Sequence, residues 1–254
     1  MKNSLMAGIA LVILIAAAGF YLLAQPGQQA RVLVVGTNTP FPPFEYTLPN
    51  GTITGFDIEV IRALAQRSGY SDIQVKDMPF DSLITALQQG QIDVIAAGLT
   101  ITPERQQQVS FTAPYWQADQ SLLVRSGSTW LPQGMADLAG KKVGVQSGTT
   151  GEALADENNA TIGQGNIKRY DTFLLAVQDL VNGKLDVVVV DSPVAVAFTA
   201  QYQVKVASTV ATGEQWGFAV RQGNSSLLDS LNQALASFKG SDAWNSLISK
   251  YFGS

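Results

Sequence analysis

Two segments of this chain follow one plan. "LITALQQGQIDVIAAGLTITP" and "FLLAVQDLVNGKLDVVVVDSP" each read as helix, glycine stop, aliphatic residue, aspartate, apolar strand, then a hydroxyl residue and proline. The aliphatic–aspartate pair is Ile92-Asp93 in the first copy and Leu185-Asp186 in the second. The closing pair is Thr102-Pro103 and Ser192-Pro193, a hydroxyl at the helix N-cap and proline at the first helical position. Helices alternating with apolar strands, twice over, restrict the chain to an α/β fold of two lobes, each a mainly parallel sheet flanked by helices.

The flanking sequence completes both lobes. "RVLVVG", "DIQVKDM" and "DVIAAG" read as strands, and "FDIEVIRALAQRSG" as a helix with Phe56, Val60 and Leu64 on one stripe and Gly69 as its stop. "KKVGVQSGTTGEALADE" opens the second strand–loop–helix set, and the C-terminal "SSLLDSLNQALASFKGSDAWNSLISKYFG" supplies two helices to the first lobe. "YWQADQSLLVRSG" and "VATGEQWGFAVRQG" are extended segments on either side of the second set. The chain is expected to cross on one and return on the other, making a two-strand hinge above a cleft. Residues 31–118 and 213–254 then form lobe 1 and residues 119–212 lobe 2.

Residues 5–24 carry no charge and Lys2 is the only charge before Arg31. Twenty apolar residues rise about 30 Å as a helix, a bilayer's hydrocarbon thickness. Residues 1–30 therefore read as a secretory signal or retained anchor followed by the linker "QPGQQA", with the remainder exported; "LLA" is a poor cleavage site, which favours the anchor. Without that segment the formal charge is −5 rather than −4, with no basic run, so nucleic acid is a poor partner. The absence of histidine and cysteine leaves no His-containing triad, thiol nucleophile or soft-metal site.

Ligands of open parallel sheets sit beyond the carboxyl ends of the strands. Those ends are Thr37 to Glu45, Phe80 and Ala97 to Thr100 in lobe 1, and Gln146 to Thr150 and Asp191 in lobe 2. "GTNTPFPPFEY" is unusual among them, with three prolines and three rings in one loop. Arg105, at the third position of the helix after Thr102, opposes the helix dipole and suits either a surface ion pair or a ligand carboxylate. Asp191 suits either a helix cap or a ligand cation. Gly148, Thr149 and Thr150 offer helix N-terminal amides to an anion, or are an ordinary cap.

Together "GTNTPFPPFEY", "GFDIEVIRALA", "GLTITPERQQQVSFTAPY", "KKVGVQSGTTGE" and "LVNGKLDVVVVDSP" resemble the polar amino-acid-binding proteins of ABC importers, across residues 31–254. The resemblance implies a periplasmic-binding-protein-like fold of type II, closing on one free amino acid without a cofactor, as a monomer serving the importer's transmembrane subunits. It implies that Arg105 and donors at Thr149 and Thr150 hold the α-carboxylate. Asp191, the Gly98 carbonyl and the Thr100 hydroxyl would hold the α-ammonium, while Phe41 and Phe80 sandwich the side chain. Asn38 and Gln146 would tune preference. Ala97, Gly98, Thr100 and Arg105 with the paired phenylalanines look like the glutamine-binding pattern. Neutral Asn38 stands where cation-binding members often carry aspartate. Gln146 and Val190 depart from the lysine and histidine common among glutamine binders. The implied order is glutamine, then arginine, for which Glu45 at the cleft rim would supply charge. A dehydratase on the same fold is the rival class, and needs a general acid aimed into the cleft.

Overall fold

The computed structural model describes residues 31–253. The apolar segment 5–24 and its linker lie outside these residues; among the described ones no helix is long and apolar enough to cross a membrane. In chain order the strands are β1 (Val32–Thr37), the hairpin β2 (Tyr46–Thr47) and β3 (Ile53–Thr54), β4 (Asp72–Asp77), β5 (Val94–Ile95), β6 (Val109–Phe111), β7 (Trp116–Arg125), β8 (Val143–Gln146), β9 (Ile167–Tyr170), β10 (Val187–Asp191), β11 (Val204–Trp216) and β12 (Ala219–Arg221). The first lobe's sheet has the order β4-β1-β5-β12-β6, the second β11-β7-β10-β8-β9.

Each sheet has a parallel heart. β1 pairs parallel with β4 and β5, and β8 pairs parallel with β9 and β10. β12 and β7 each run antiparallel to both neighbours, so four strands of each sheet share a direction and one opposes them. The run "VVVV" of β10 is buried on both faces. Val188 and Val190 join Phe173, Ala176 and Leu180 of the Phe173–Val181 helix, while Val187 and Val189 join Leu122, Val143 and Ala155. Such two-sided burial is what an unbroken aliphatic strand indicates in parallel sheets.

The internal repeat has a physical basis. Asp93 Oδ2 accepts the Val34 amide at 2.9 Å, and Asp186 Oδ2 accepts the Lys142 amide, also at 2.9 Å. Each carboxylate thus ties its strand to the one beside it. The preceding aliphatic residue packs over a glycine of that neighbour. A Cβ on Gly36 would lie 2.3 Å from Ile92 Cδ1, and one on Gly144 2.5 Å from Leu185 Cδ1.

Three sequence expectations need correction. Ser192 is not the N-cap of its helix, which starts at Ser192 with Asp191 in the cap position; Ser192 Oγ instead accepts the Asp119 amide at 3.2 Å. The helix beginning at Pro103 is a single turn, Pro103–Gln106, capped by Thr102 Oγ1 on the Arg105 amide. So short a helix has little dipole for Arg105 to oppose. The returning crossover starts earlier than its sequence suggested, at Val204, and "GFAVR" leaves it for the first sheet as β12. β7 and β11 pair from Trp116–Trp216 to Arg125–Val204, with irregularities at Val206/Ser208 and Val210/Glu214. Asp119 Oδ1 fills the second, accepting the Thr212 and Gly213 amides at 2.9 and 2.8 Å.

The proline-rich loop is fixed from below. Phe44 is fully buried, 4.8 Å ring to ring from Trp216 and 5.1 Å from Trp116. Burying such a ring is worth about 1.5–3 kcal/mol. Tyr46 is only half-buried, on the β2–β3 hairpin. The three rings therefore divide, with Phe44 anchoring the loop and Phe41 free to line the cleft.

Candidate functional site

One cavity between the lobes is lined by eleven residues singled out from the sequence, Asn38, Phe41, Phe80, Ala97, Gly98, Thr100, Arg105, Gln146, Thr149, Thr150 and Asp191, while Gly148 is not in its lining. Glu45 and Phe173 also line it. The side chains arrive on strand ends and on the first turns that follow them, so their backbones are held by the sheets.

On the lobe 1 side, Asn38 Nδ2 donates to the Met78 carbonyl at 2.8 Å. Its Oδ1 accepts from Gln146 Nε2 of lobe 2 at 2.6 Å, and Gln146 Nε2 also donates to the Asp171 carbonyl. The two amides thus meet across the cleft. The Phe41 ring stands 5.7 Å from Trp216 and 5.8 Å from Phe173. Gly98 has φ +54°, and a Cβ there would lie 2.6 Å from the Phe41 ring. Only glycine combines this backbone with so close a ring. Its amide donates to Asp57 Oδ2 at 3.0 Å, and the Tyr115 hydroxyl donates to the same oxygen. Burial pushes the Asp57 carboxyl up to about 7 although both bonds favour its charged form.

Arg105 spans the cleft. Its Nη1 donates to the Thr100 carbonyl at 2.8 Å and its Nη2 to the Gly148 carbonyl of lobe 2 at 2.9 Å. The guanidinium also lies 5.6 Å from the Phe80 ring centre. Thr149 caps the Thr150–Glu157 helix, its Oγ1 accepting the Glu152 amide at 3.1 Å. Glu152 reaches back to the Gly148 amide at 2.6 Å. This reciprocal cap occupies one of the amides that the sequence offered to an anion.

Acidic groups outnumber the cation. Asp191, 5% exposed, accepts from Gln120 Nε2 at 3.1 Å. Burial and then the neighbouring Glu214 push its carboxyl up to about 7. Glu214 accepts from the Thr100 and Thr150 hydroxyls at 2.6 and 2.7 Å and from Gln120 Nε2 at 2.9 Å. Because Thr100 gives its proton to Glu214, its oxygen lone pairs remain for a donor from the cavity. Glu45 is 1% exposed, inside the cavity wall rather than at its rim, and both its carboxylate oxygens lack a hydrogen-bond partner. Burial, then Asp57, Asp191 and Asp77, push its carboxyl well above the usual range.

Sequence reasoning missed Phe173, Gln120 and Glu214. Phe173 opens a helix and reads there as ordinary core. Gln120 is fully buried within the otherwise apolar strand "ADQSLLV", a polar interruption that signals a partner. Glu214 sits on the mostly polar returning strand, where no pattern sets it apart.

The arrangement holds a planar cation, paired acidic acceptors and two rings around one closed space, which suits a zwitterion. A probable histidine-binding protein of Neisseria gonorrhoeae is 34% identical over 90% of this chain and 85% of its own length. ABC transporter arginine-binding protein 1 of Escherichia coli is 32% identical over 88% of this chain and 91% of its own. Among solved structures, an ancestral arginine-binding protein bound to glutamine is 41% identical with a TM-score of 0.82, covering 88% of this chain and 98% of that one. Residues 33–254 match the family described as bacterial extracellular solute-binding proteins, family 3. The chain belongs to that family and is a polar amino-acid-binding member of it.

Proposed function

We propose that the protein captures arginine in the interlobe cleft and delivers it to the transmembrane subunits of an ABC importer. The carrying observation is Glu45, a buried carboxylate in the cavity wall with no partner for either oxygen. Unpaired buried carboxylates are costly. A ligand guanidinium offers two parallel donors to one, and Phe41 and Phe80 offer it ring faces. Among the described residues, Arg105 is the one cation lining the cavity beside the acidic groups Glu45, Asp191 and Glu214, and arginine, with one net positive charge, would favour their ionised forms. This reverses the order that the sequence suggested.

In this reading Arg105, with donors at Thr149 and Thr150, holds the α-carboxylate. Asp191, the Gly98 carbonyl and the Thr100 oxygen take the α-ammonium, with Glu214 and Gln120 behind them. Asn38 and Gln146 border the side chain. Glutamine is the second reading, favoured by the Ala97-Gly98-Thr100-Arg105 pattern and by the ligand of the ancestral relative. Every cleft carboxylate then has a binding role, so we assign no catalysis. We further propose a monomer, exported and held at the membrane by residues 5–24, with lobe 1 formed by residues 31–118 and 213–254 and lobe 2 by residues 119–212.

A thermal-shift screen of the full chain against the standard amino acids and ornithine tests this. A ligand at a hundred times its Kd stabilises the native state by about 2.7 kcal/mol. Arginine should give the largest shift. A screen in which no amino acid moves the melting temperature refutes amino-acid capture, and consumption of a cyclic carboxylate would point to the dehydratase class.

A further inference from the structure

We propose that Glu45 is a proton-linked selector: ionised, it takes the guanidinium of arginine; protonated, it takes the carboxamide of glutamine, so that the surrounding pH sets which amino acid the cleft prefers. This rests on the amino-acid reading above and deepens it.

The geometry points there for three reasons. First, Glu45 lines the cavity, and its buried carboxyl oxygens are not engaged by the protein. Its backbone is pinned instead, the Glu45 carbonyl accepting the Phe41 amide at 2.7 Å and its own amide donating to the Phe41 carbonyl at 3.1 Å. The loop thus holds the carboxyl in place without satisfying it. Second, the charged groups that act on it are Asp57 on the Phe56–Arg67 helix, Asp77 at the end of β4 and Asp191 at the end of β10, all carboxylates. The Tyr115 hydroxyl, near enough to feel the Glu45 charge, is committed to Asp57. Arg105, the cation of the same cavity, is bonded to the Thr100 and Gly148 carbonyls. No cation among the described residues therefore compensates an ionised Glu45, and burial among like charges holds its proton on.

Third, the two protonation states offer different faces. A carboxylate is acceptor-only and matches the donor fork of a guanidinium. A carboxylic acid has one donor and one acceptor, the mirror of a primary amide, which accepts at its oxygen and donates at its nitrogen. Arginine binding therefore expels the Glu45 proton to solvent, and glutamine binding retains it. Asp191 and Asp57 also titrate within reach and act on Glu45, so their share of any pH dependence is separated by the Glu45→Gln variant, which keeps both.

The test is calorimetric titration of the full chain with arginine and with glutamine from about pH 5 to about pH 8, in buffers of different ionisation enthalpy. If each ligand takes only its own form of Glu45, the arginine-to-glutamine affinity ratio rises about tenfold for each pH unit throughout the range. Proton release should accompany arginine alone. In Glu45→Gln the ratio should become independent of pH, with arginine weakened by about tenfold or more. A flat ratio in the unmodified chain overturns the proposal and needs no variant to interpret. The same slope persisting in Glu45→Gln also overturns it. If only one of the two amino acids binds at any pH, the selector is refuted while amino-acid capture stands; if neither binds, both fall.

Discussion

Replacing Arg105 with alanine tests the centre of the proposed site. Arg105 is 9% exposed, and its guanidinium reaches carbonyl oxygens of both lobes, Thr100 at 2.8 Å and Gly148 at 2.9 Å. A ligand carboxylate would take charge-assisted bonds from the same two nitrogens. At about 1.5–3 kcal/mol each, their loss removes roughly 3–6 kcal/mol of binding, between about two and four orders of magnitude in Kd. The ligand-free fold loses less, about 1–3 kcal/mol, because the two carbonyls gain access to water in the space vacated. At about 2–4 °C per kcal/mol for a domain of this size, the melting temperature should fall by several degrees and the transition should stay cooperative. Calorimetric titration with arginine reads the first effect and a thermal melt without ligand the second. Arg105→Lys should lie between, since an ammonium cannot grip a carboxylate with two prongs. Unchanged affinity in Arg105→Ala would refute the assignment. So would loss of the folded state, which would make Arg105 a support of the lobes rather than a ligand contact.

Further substitutions separate support from contact. Gly98→Ala places a Cβ 2.6 Å from the Phe41 ring at φ +54°, so it should cost about 1–2 kcal/mol in backbone conformation alone and weaken the ligand by tilting the ring; urea midpoints and titration measure the two. Asp57→Asn should keep its bonds to Gly98 and Tyr115 but lose a titration. Asp57 ionises near 4 in the unfolded chain and at about 7 in the fold, so the native state binds the extra proton between these values and stability falls as pH rises through that window. The variant should therefore gain on the parent by up to about 1.4 kcal/mol per pH unit, read as diverging melting temperatures from about pH 4 to about pH 7. Asp93→Ala and Asp186→Ala should each cost about 1–2 kcal/mol, because each removes the same strand-to-strand bond in its own lobe; a loss confined to one of them would contradict the shared role of the repeat.

The sequence was most legible where residue type follows from backbone position. Strand ends are visible as the termini of apolar runs, and the cavity-lining residues chosen from them meet in one space. The repeat was legible too, because Ile92-Asp93 and Leu185-Asp186 do one job that one residue pair performs well. What escaped was set by long-range partners. Glu45 reads as a rim residue next to prolines, and only the packing of Asp57, Asp77 and Asp191 around it reveals an interior carboxyl. Glu214 comes within 2.9 Å of Gln120, ninety-four residues earlier, through the pairing of β7 with β11. Ser192 was misread because a hydroxyl before proline has the form of a cap, while its nearest demand came from the amide of Asp119 on the crossing strand.

The paired crossover strands set the kinematics of the molecule. Two separate tethers would let the lobes twist, slide and bend independently. A hydrogen-bonded ribbon running from Trp116–Trp216 onward resists sliding, because slip would break the ladder at every rung. Its soft point is the interruption between Val210 and Glu214, where the ladder is replaced by two bonds to a single carboxylate, Asp119. That interruption lies next to Gln120 and Glu214, whose side chains reach the acidic end of the cavity. The crossover ribbon and the proposed ammonium site share one stretch of backbone, so in that proposal the angle between the lobes and occupancy would be coupled.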